Sequence, residues 1–353
     1  MLHRRILMLL AFFTLPVSLC HAQSALLDLP RQSQNAQVTQ TVGITDITLR
    51  YSRPLVKGRK VWGGLVPYGE VWRAGANENT TITFTDNVTV EGKPLDKGTY
   101  GLFMIPKEDE WIVIFSKANT AWGAFTYKPG EDVLRVTVKP IVSDFHDALA
   151  YEFDQLAADS ALVTLCWDKL AVPFKVAVNV PQTVEQSLSN QFRGIVQYTW
   201  VSYDDAANYF LTAKADLPEG LKYADRSIEI EERYDNLMTK SNILKAMGNT
   251  DEAQKFAAMA LHRADAGQSY QYARQLQRDH KQDEAFAIYR ELARKYPTNL
   301  YTYAGMARVA VGAGNYDEAV KQMKLCLAAA PDNAKSQIQG LLNRLEKKED
   351  INK

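Results

Sequence analysis

The sequence predicts a multidomain chain, β then α: an antiparallel β-sandwich followed by a short α-solenoid. Three observations predict it. From residue 36 to about residue 180 the apolar residues recur with period two; near Pro181 the period becomes helical; and beyond it one six-residue phrase returns with small changes.

The strands are taken in order. ITLRY, residues 47–51, places Ile47, Leu49 and Tyr51 on one face. TITFT joins Ile82 to Phe84, and NVTVEG joins Val88 to Val90. WIVIF, RVTVKP, YEFDQL, ALVTLCW and FKVAV continue the series, rich in β-branched and aromatic residues. Turn signals bound them at Glu91-Gly92, at Asp96-Lys97-Gly98 and over residues 106–109. Roughly nine or ten short strands without intervening helices read as an antiparallel sandwich or barrel, and the sandwich is the expectation carried forward.

The helical half repeats. GNTDEA (248–253), HKQDEA (280–285) and GNYDEA (314–319) end in Ala253, Ala285 and Ala319, spaced 32 and 34 residues apart. Pro297 and Pro331 each fall 12 residues beyond the last two alanines, where one helix pair must stop before the next begins. Residues 198–214 and 218–231 read as a degenerate starting pair, and residues 335–349 as a solvating cap helix.

A period near 34 with this content resembles the tetratricopeptide repeat, making the second half a tetratricopeptide-like α-solenoid. In that family small residues such as Ala285 and Ala319 let paired helices approach, and larger ones, here Tyr289 and Met323, fill the gap four positions later. The chain departs from the pattern at Asp265, where proline is expected, and at Ser269 and Tyr303, where tryptophan is usual. The resemblance implies a concave face that holds an extended peptide or a partner's helix. Its candidate groove residues are Asn236, Lys240, Asn242, Tyr270, Arg274 and Tyr301. The alternative is an array that only braces the β-domain or forms a dimer.

The first half resembles a bacterial family, mostly of secreted proteins, known only as domain-of-unknown-function 2911. The likeness is carried by VTQTVGITDITLRYSRP, VKGRKVWGGLVPYGEVWRAGANENTTITFTDNVTVEGKPL, KGTYGLFMIP and EWIVIF, over residues 38–180. It implies fold and compartment and brings no activity.

His3, Arg4 and Arg5 precede the apolar run ILMLLAFFTL, and SLCHAQS follows it, so residues 1–22 read as a signal peptide cleaved after Ala22. Residues 30–181 are then the β-sandwich domain and residues 190–349 the helical repeats. The expected location is exported, periplasmic or extracellular. Leu19 is bulky where lipobox signals carry a small residue, so lipid anchoring at Cys20 is not expected. No other stretch is apolar enough to span a membrane. Cleavage would leave 39 basic against 41 acidic residues, a balance that argues against nucleic acid as partner. The two remaining cysteines, Cys166 and Cys326, sit in a strand-like and a helical run and read as core residues.

Catalytic arrangements are tested by what is missing. His146, in SDFHDAL, reads as a lone histidine of a connecting loop, too few ligands for a zinc site of the common kind. There is no GxSxG elbow, no P-loop, no GxGxxG and no calcium loop, so no catalytic residue, metal or cofactor is assigned. Glu70 and Glu78 could act as a glycosidase acid and base only if they faced one another across a cleft.

The densest polar stretch is GEVWRAGANENTTITF, residues 69–84. Arg73 reads either as an anchor for an anion, its planar fork oriented with Asn77 and Glu78, or as a clamp on exposed turn carbonyls or on Glu78. Trp72, Trp62 and Trp122 are the aromatic candidates beside it, Trp62 and Trp122 as the freer rings in Gly-containing loops; Trp111 and Trp167 are expected in the core. The function expected is therefore an exported envelope binding or scaffolding protein with a protein or peptide partner at the repeat groove. A carbohydrate-binding sandwich is the alternative, and a glycoside hydrolase using Glu70 and Glu78 the second.

Overall fold

The computed structural model describes residues 29–352, so the expected signal peptide lies outside the described residues. The chain divides into two compact units with the boundary between Val180 and Pro181.

The strand-built unit contains β1 (Gln34–Val42), β2 (Thr45–Arg53), β3 (Thr81–Phe84), β4 (Val88–Val90), β5 (Lys93–Leu95), β6 (Gly98–Pro106), β7 (Trp111–Ser116), β8 (Asp132–Val138), β9 (Ile141–Asp154) and β10 (Ser160–Ala177). They form a six-stranded sheet in the order β1-β2-β3-β6-β7-β8 and a four-stranded sheet in the order β5-β4-β10-β9. Each pairing is antiparallel. The turns follow the local chemistry. Val90 pairs with Lys93 across Glu91 (φ 48°) and Gly92 (φ 75°), the two left-handed residues that a tight hairpin matched to strand twist requires. Gly43 (φ 61°) opens the two-residue turn between β1 and β2, and a Cβ there would lie 2.7 Å from a methyl of Val180.

Alternation fills the space between the sheets. Ile47, Leu49, Ile82, Phe84, Leu102, Met104, Val113 and Phe115 from the larger sheet share one core with Val88, Val90, Leu149, Val163, Leu165, Phe174 and Val176 from the smaller. Trp111 and Trp167 lie in that core, as expected. His146 does not sit in a connecting loop: it lies within β9, opposite Asp168 of β10 at an irregularity in the pairing. The sequence hid that strand because the residues before His146 put Ile141, Val142 and Phe145 on exposed surface and break the apolar alternation.

The helical unit contains α1 (Val180–Gln191), α2 (Trp200–Thr212), α3 (Leu217–Ile230), α4 (Tyr234–Ala246), α5 (Thr250–Arg263), α6 (Ala266–Arg278), α7 (Gln282–Lys295), α8 (Leu300–Gly312), α9 (Tyr316–Ala329) and α10 (Asp332–Glu346). Among the described residues no helix is long and apolar enough to cross a membrane. The repeated phrase is the turn inside each pair. Gly248, His280 and Gly314 take left-handed φ values of 85°, 61° and 73° at the same place, ending one helix before the next begins. Ala253, Ala285 and Ala319 are buried, and Tyr289 and Met323 fill the gaps beside them. Packing is close between α7 and α8, where a Cβ on Gly305 would stand 2.6 Å from Tyr289 and one on Gly312 would stand 2.3 Å from Phe286. Asp265, at the expected proline position, caps α6 instead: its carboxylate accepts from the Gln268 N–H at 2.7 Å, and Gln268 accepts the Asp265 N–H in return.

Candidate functional site

In the strand-built unit the segment from residue 69 to residue 80 is not a free loop. Trp72 and Met104 exchange both backbone hydrogen bonds at 2.8 Å, and the Gly69 N–H donates to the Pro106 carbonyl at 2.8 Å. The Trp72 indole N–H turns back to the Gly75 carbonyl at 3.1 Å. Ala74, buried and held at φ 52°, receives two hydroxyls on its carbonyl, from Thr80 at 3.0 Å and from Tyr151 at 2.9 Å. Asn77 also adopts a left-handed φ, 59°, with its amide directed at the Ser33 carbonyl and the Ser52 hydroxyl, each at 3.4 Å. Left-handed backbone at non-glycine residues costs of order 1–3 kcal/mol and persists only where the surroundings hold it.

Beneath this segment four indoles gather. Trp62 stands edge-on to Trp111 at 4.9 Å and to Trp167 at 5.6 Å, while Trp72 and Trp167 stack at 5.9 Å with planes 18° apart. Trp62 is therefore not the freer ring that its glycine neighbours suggested; it is 8% exposed and part of the core. The glycines serve the turn around it, and the ring goes inward because burying an indole removes a large apolar area from water. Trp122 is 60% exposed and is joined to Glu78 by an isolated backbone bridge.

Above the indoles lies a cavity of about 430 Å³ whose walls include Trp72, Trp167, Lys57, Arg59, Arg73 and Asn77. None of its lining residues is acidic. Arg73 is only partly exposed, its Nε is buried, and it makes no hydrogen bond or ion pair among the described residues. Burial lowers the pKa of its guanidinium from the ordinary arginine value. The clamp on Glu78 is not made: Glu78 pairs with Arg31 at 2.5 Å. Burial pushes the Glu78 carboxyl up, but the Arg31 hydrogen bond, a backbone N–H and the Arg31 charge together outweigh it and leave the group below its ordinary value. Neither Glu70 nor Glu78 lines the cavity.

Lys57 and Arg59 are the functional candidates that sequence reasoning passed over. They come from KGRK, residues 57–60, where charges flank Gly58. The Arg59 fork is braced on the carbonyls of Val56 and Leu55. The Lys57 backbone N–H reaches Asp147 at 3.2 Å with its own φ at 50°.

In the helical unit a second cavity, of about 490 Å³, opens between α6, α8 and α10. Three of the groove candidates, Tyr270, Arg274 and Tyr301, line it together with Arg308 and Arg344. Tyr270 and Tyr301 lie 5.6 Å apart, and Arg308 Nε donates to the Tyr270 hydroxyl at 3.2 Å. The Arg274 pKa is lowered by burial first and then by the nearby charge of Arg308. Ile351, 2% exposed, tucks into the same cluster; Arg308 donates to its carbonyl, and Asn352 returns an amide N–H to the Arg308 carbonyl at 3.0 Å.

The other three groove candidates come apart from these. Asn236 offers no groove surface: it is fully buried, donating to the Ser227 hydroxyl at 2.9 Å and to the Glu231 carbonyl at 2.8 Å while accepting the Arg233 N–H. A short amide near a helix start serves the orphan backbone groups there, and that use wins. Lys240 pairs with Asp225 at 2.5 Å and lies 3.9 Å over the Phe256 ring. Asn242 is exposed and lines neither cavity. Cys166 and Cys326 are free and buried, and burial is the chief cause pushing each thiol up to about 11.

Residues 33–176 match the family described as protein of unknown function DUF2911, and residues 276–345 match a tetratricopeptide repeat. No curated protein matches the chain. Among solved structures, the chain is similar to YrrB, described as a tetratricopeptide repeat protein with an unusual peptide-binding site. Identity is 13% over 46% of this chain and 84% of that one, with a TM-score of 0.30. The chain thus carries a DUF2911 region in its strand-built unit and tetratricopeptide-type repeats in its helical one.

Proposed function

We propose that the protein is an exported binding or scaffolding module of the cell envelope whose helical repeats hold a protein or peptide partner. The observation that carries this reading is the cavity between α6, α8 and α10, where Tyr270, Tyr301, Arg274 and Arg308 converge. Paired aromatic rings supply apolar contact at little entropic cost, and Arg274 supplies donors for backbone carbonyls or acidic side chains, while Arg308, bonded to Tyr270 and Ile351, holds the wall. The tetratricopeptide match over residues 276–345 supports it, because stacked helix pairs leave such a face open along the array. Export rests on the first 22 residues of the sequence alone.

The test is capture from envelope extract with the full chain and with the Tyr270→Ala, Arg274→Ala, Tyr301→Ala triple variant. Proteins that bind the array are expected to be lost with the variant, whose helical circular dichroism stays at the level of the parent. An identical set of captured proteins from both would exclude the groove.

A further inference from the structure

We propose that the strand-built unit is itself a receptor for a small organic carboxylate, bound in the cavity walled by Lys57, Arg59, Arg73, Asn77, Trp72 and Trp167. Three cationic residues line one space and no acidic residue does. Lys57, Arg59 and Arg73 form no ion pair with any described residue. Glu78 is engaged with Arg31, and Asp147, which accepts the Lys57 backbone N–H at 3.2 Å, does not line the cavity. A partly buried guanidinium with an unpartnered Nε is costly to keep, and a protein that only needed a filled wall would place an apolar residue there.

A second observation points the same way. Two lining residues, Lys57 and Asn77, hold left-handed φ, at 50° and 59°, and Ala74, buried between the lining residues Arg73 and Gly75, does so at 52°. Strained backbone kept at and beside the walls of one pocket fits a ligand clamp. The volume of about 430 Å³ suits a small molecule rather than a chain segment.

The chemistry of the walls selects the class. A carboxylate puts a single charge on two coplanar oxygens that match the guanidinium fork. Its organic body would rest against Trp72 and the apolar residues Pro54, Leu55, Leu65 and Val66, which complete the lining. Inorganic phosphate carries more charge, is more strongly hydrated and has no body to cover that floor.

The experiment titrates the full chain with benzoate, with glucuronate and with inorganic phosphate, reading tryptophan fluorescence and the thermal midpoint. At least one carboxylate is expected to give a saturable change, and Arg73→Gln to weaken it by about tenfold or more. Should Arg73→Gln fail to fold, Lys57→Gln, on the exposed rim, tests the same site; it is expected to weaken binding and to reduce its salt dependence. The proposal is overturned if neither carboxylate gives a saturable signal by ~10 mM. Unchanged binding in every folded variant, or binding of phosphate without either carboxylate, overturns it equally.

Discussion

At the scale of single residues, the Ala74 carbonyl organises the sandwich pocket. Two buried hydroxyls, from Thr80 and Tyr151, converge on it and hold the left-handed residue that turns Arg73 into the cavity wall. Tyr151 is itself fixed from behind, since its backbone N–H donates to the Tyr51 hydroxyl at 3.1 Å. Burial carries its phenol well above the ordinary pKa, in keeping with its role as a donor. Tyr151→Phe is expected to cost about 1 kcal/mol in urea unfolding, because one donor is removed and Thr80 still satisfies the carbonyl. A cost near zero would mean that Thr80 alone holds the turn. The sequence could not reveal this link. Tyr151 sits 77 residues from Ala74, and a tyrosine in an alternating strand reads as core with no hint of where its hydroxyl goes.

At the scale of elements, much was legible because period and punctuation are local. ITLRY and TITFT announced strands, Glu91-Gly92 announced a turn, and the DEA phrases announced a helical repeat. Strand order was not legible, since β4 pairs with β10 across a long stretch of chain and local pattern does not encode partners. Pocket residues were half legible. Arg73 and Asn77 stood out by density of polar types, whereas nothing in the sequence singled out Lys57 and Arg59, and Asn236 looked like a groove residue until its amide was seen capping a helix. The recurring turn yields a prediction. His280 holds the left-handed position that glycine holds in both neighbouring phrases, and it is exposed there. His280→Gly is expected to raise stability by about 0.5–1 kcal/mol, because relief of Cβ strain exceeds the added chain entropy. Urea unfolding followed by circular dichroism at 222 nm checks it, and a loss of stability would show that the imidazole contributes a contact of its own.

At the scale of the whole molecule, the two units hold themselves together by different means. The repeats rest on neighbour-to-neighbour contacts along the chain, so their stability accumulates unit by unit. The sandwich depends on pairings between distant strands, which fold slowly and as one cooperative body. Five of the six tryptophans lie in the strand-built unit, and the described α-helices lie in the other, so two optical signals separate them. Urea transitions followed by tryptophan fluorescence and by ellipticity at 222 nm are expected not to coincide; superimposed curves would mean the units unfold as one. The indole cluster adds a property of a different kind. Trp72 and Trp167 stack 18° from parallel, with Trp62 and Trp111 each within 6.5 Å of Trp72, close enough for their electronic transitions to couple. Light absorbed by any of the four is expected to be shared among them. Trp72 and Trp167, the two that line the pocket, tie its wall to the group, so a charge settling beside them is expected to change the emission of all four.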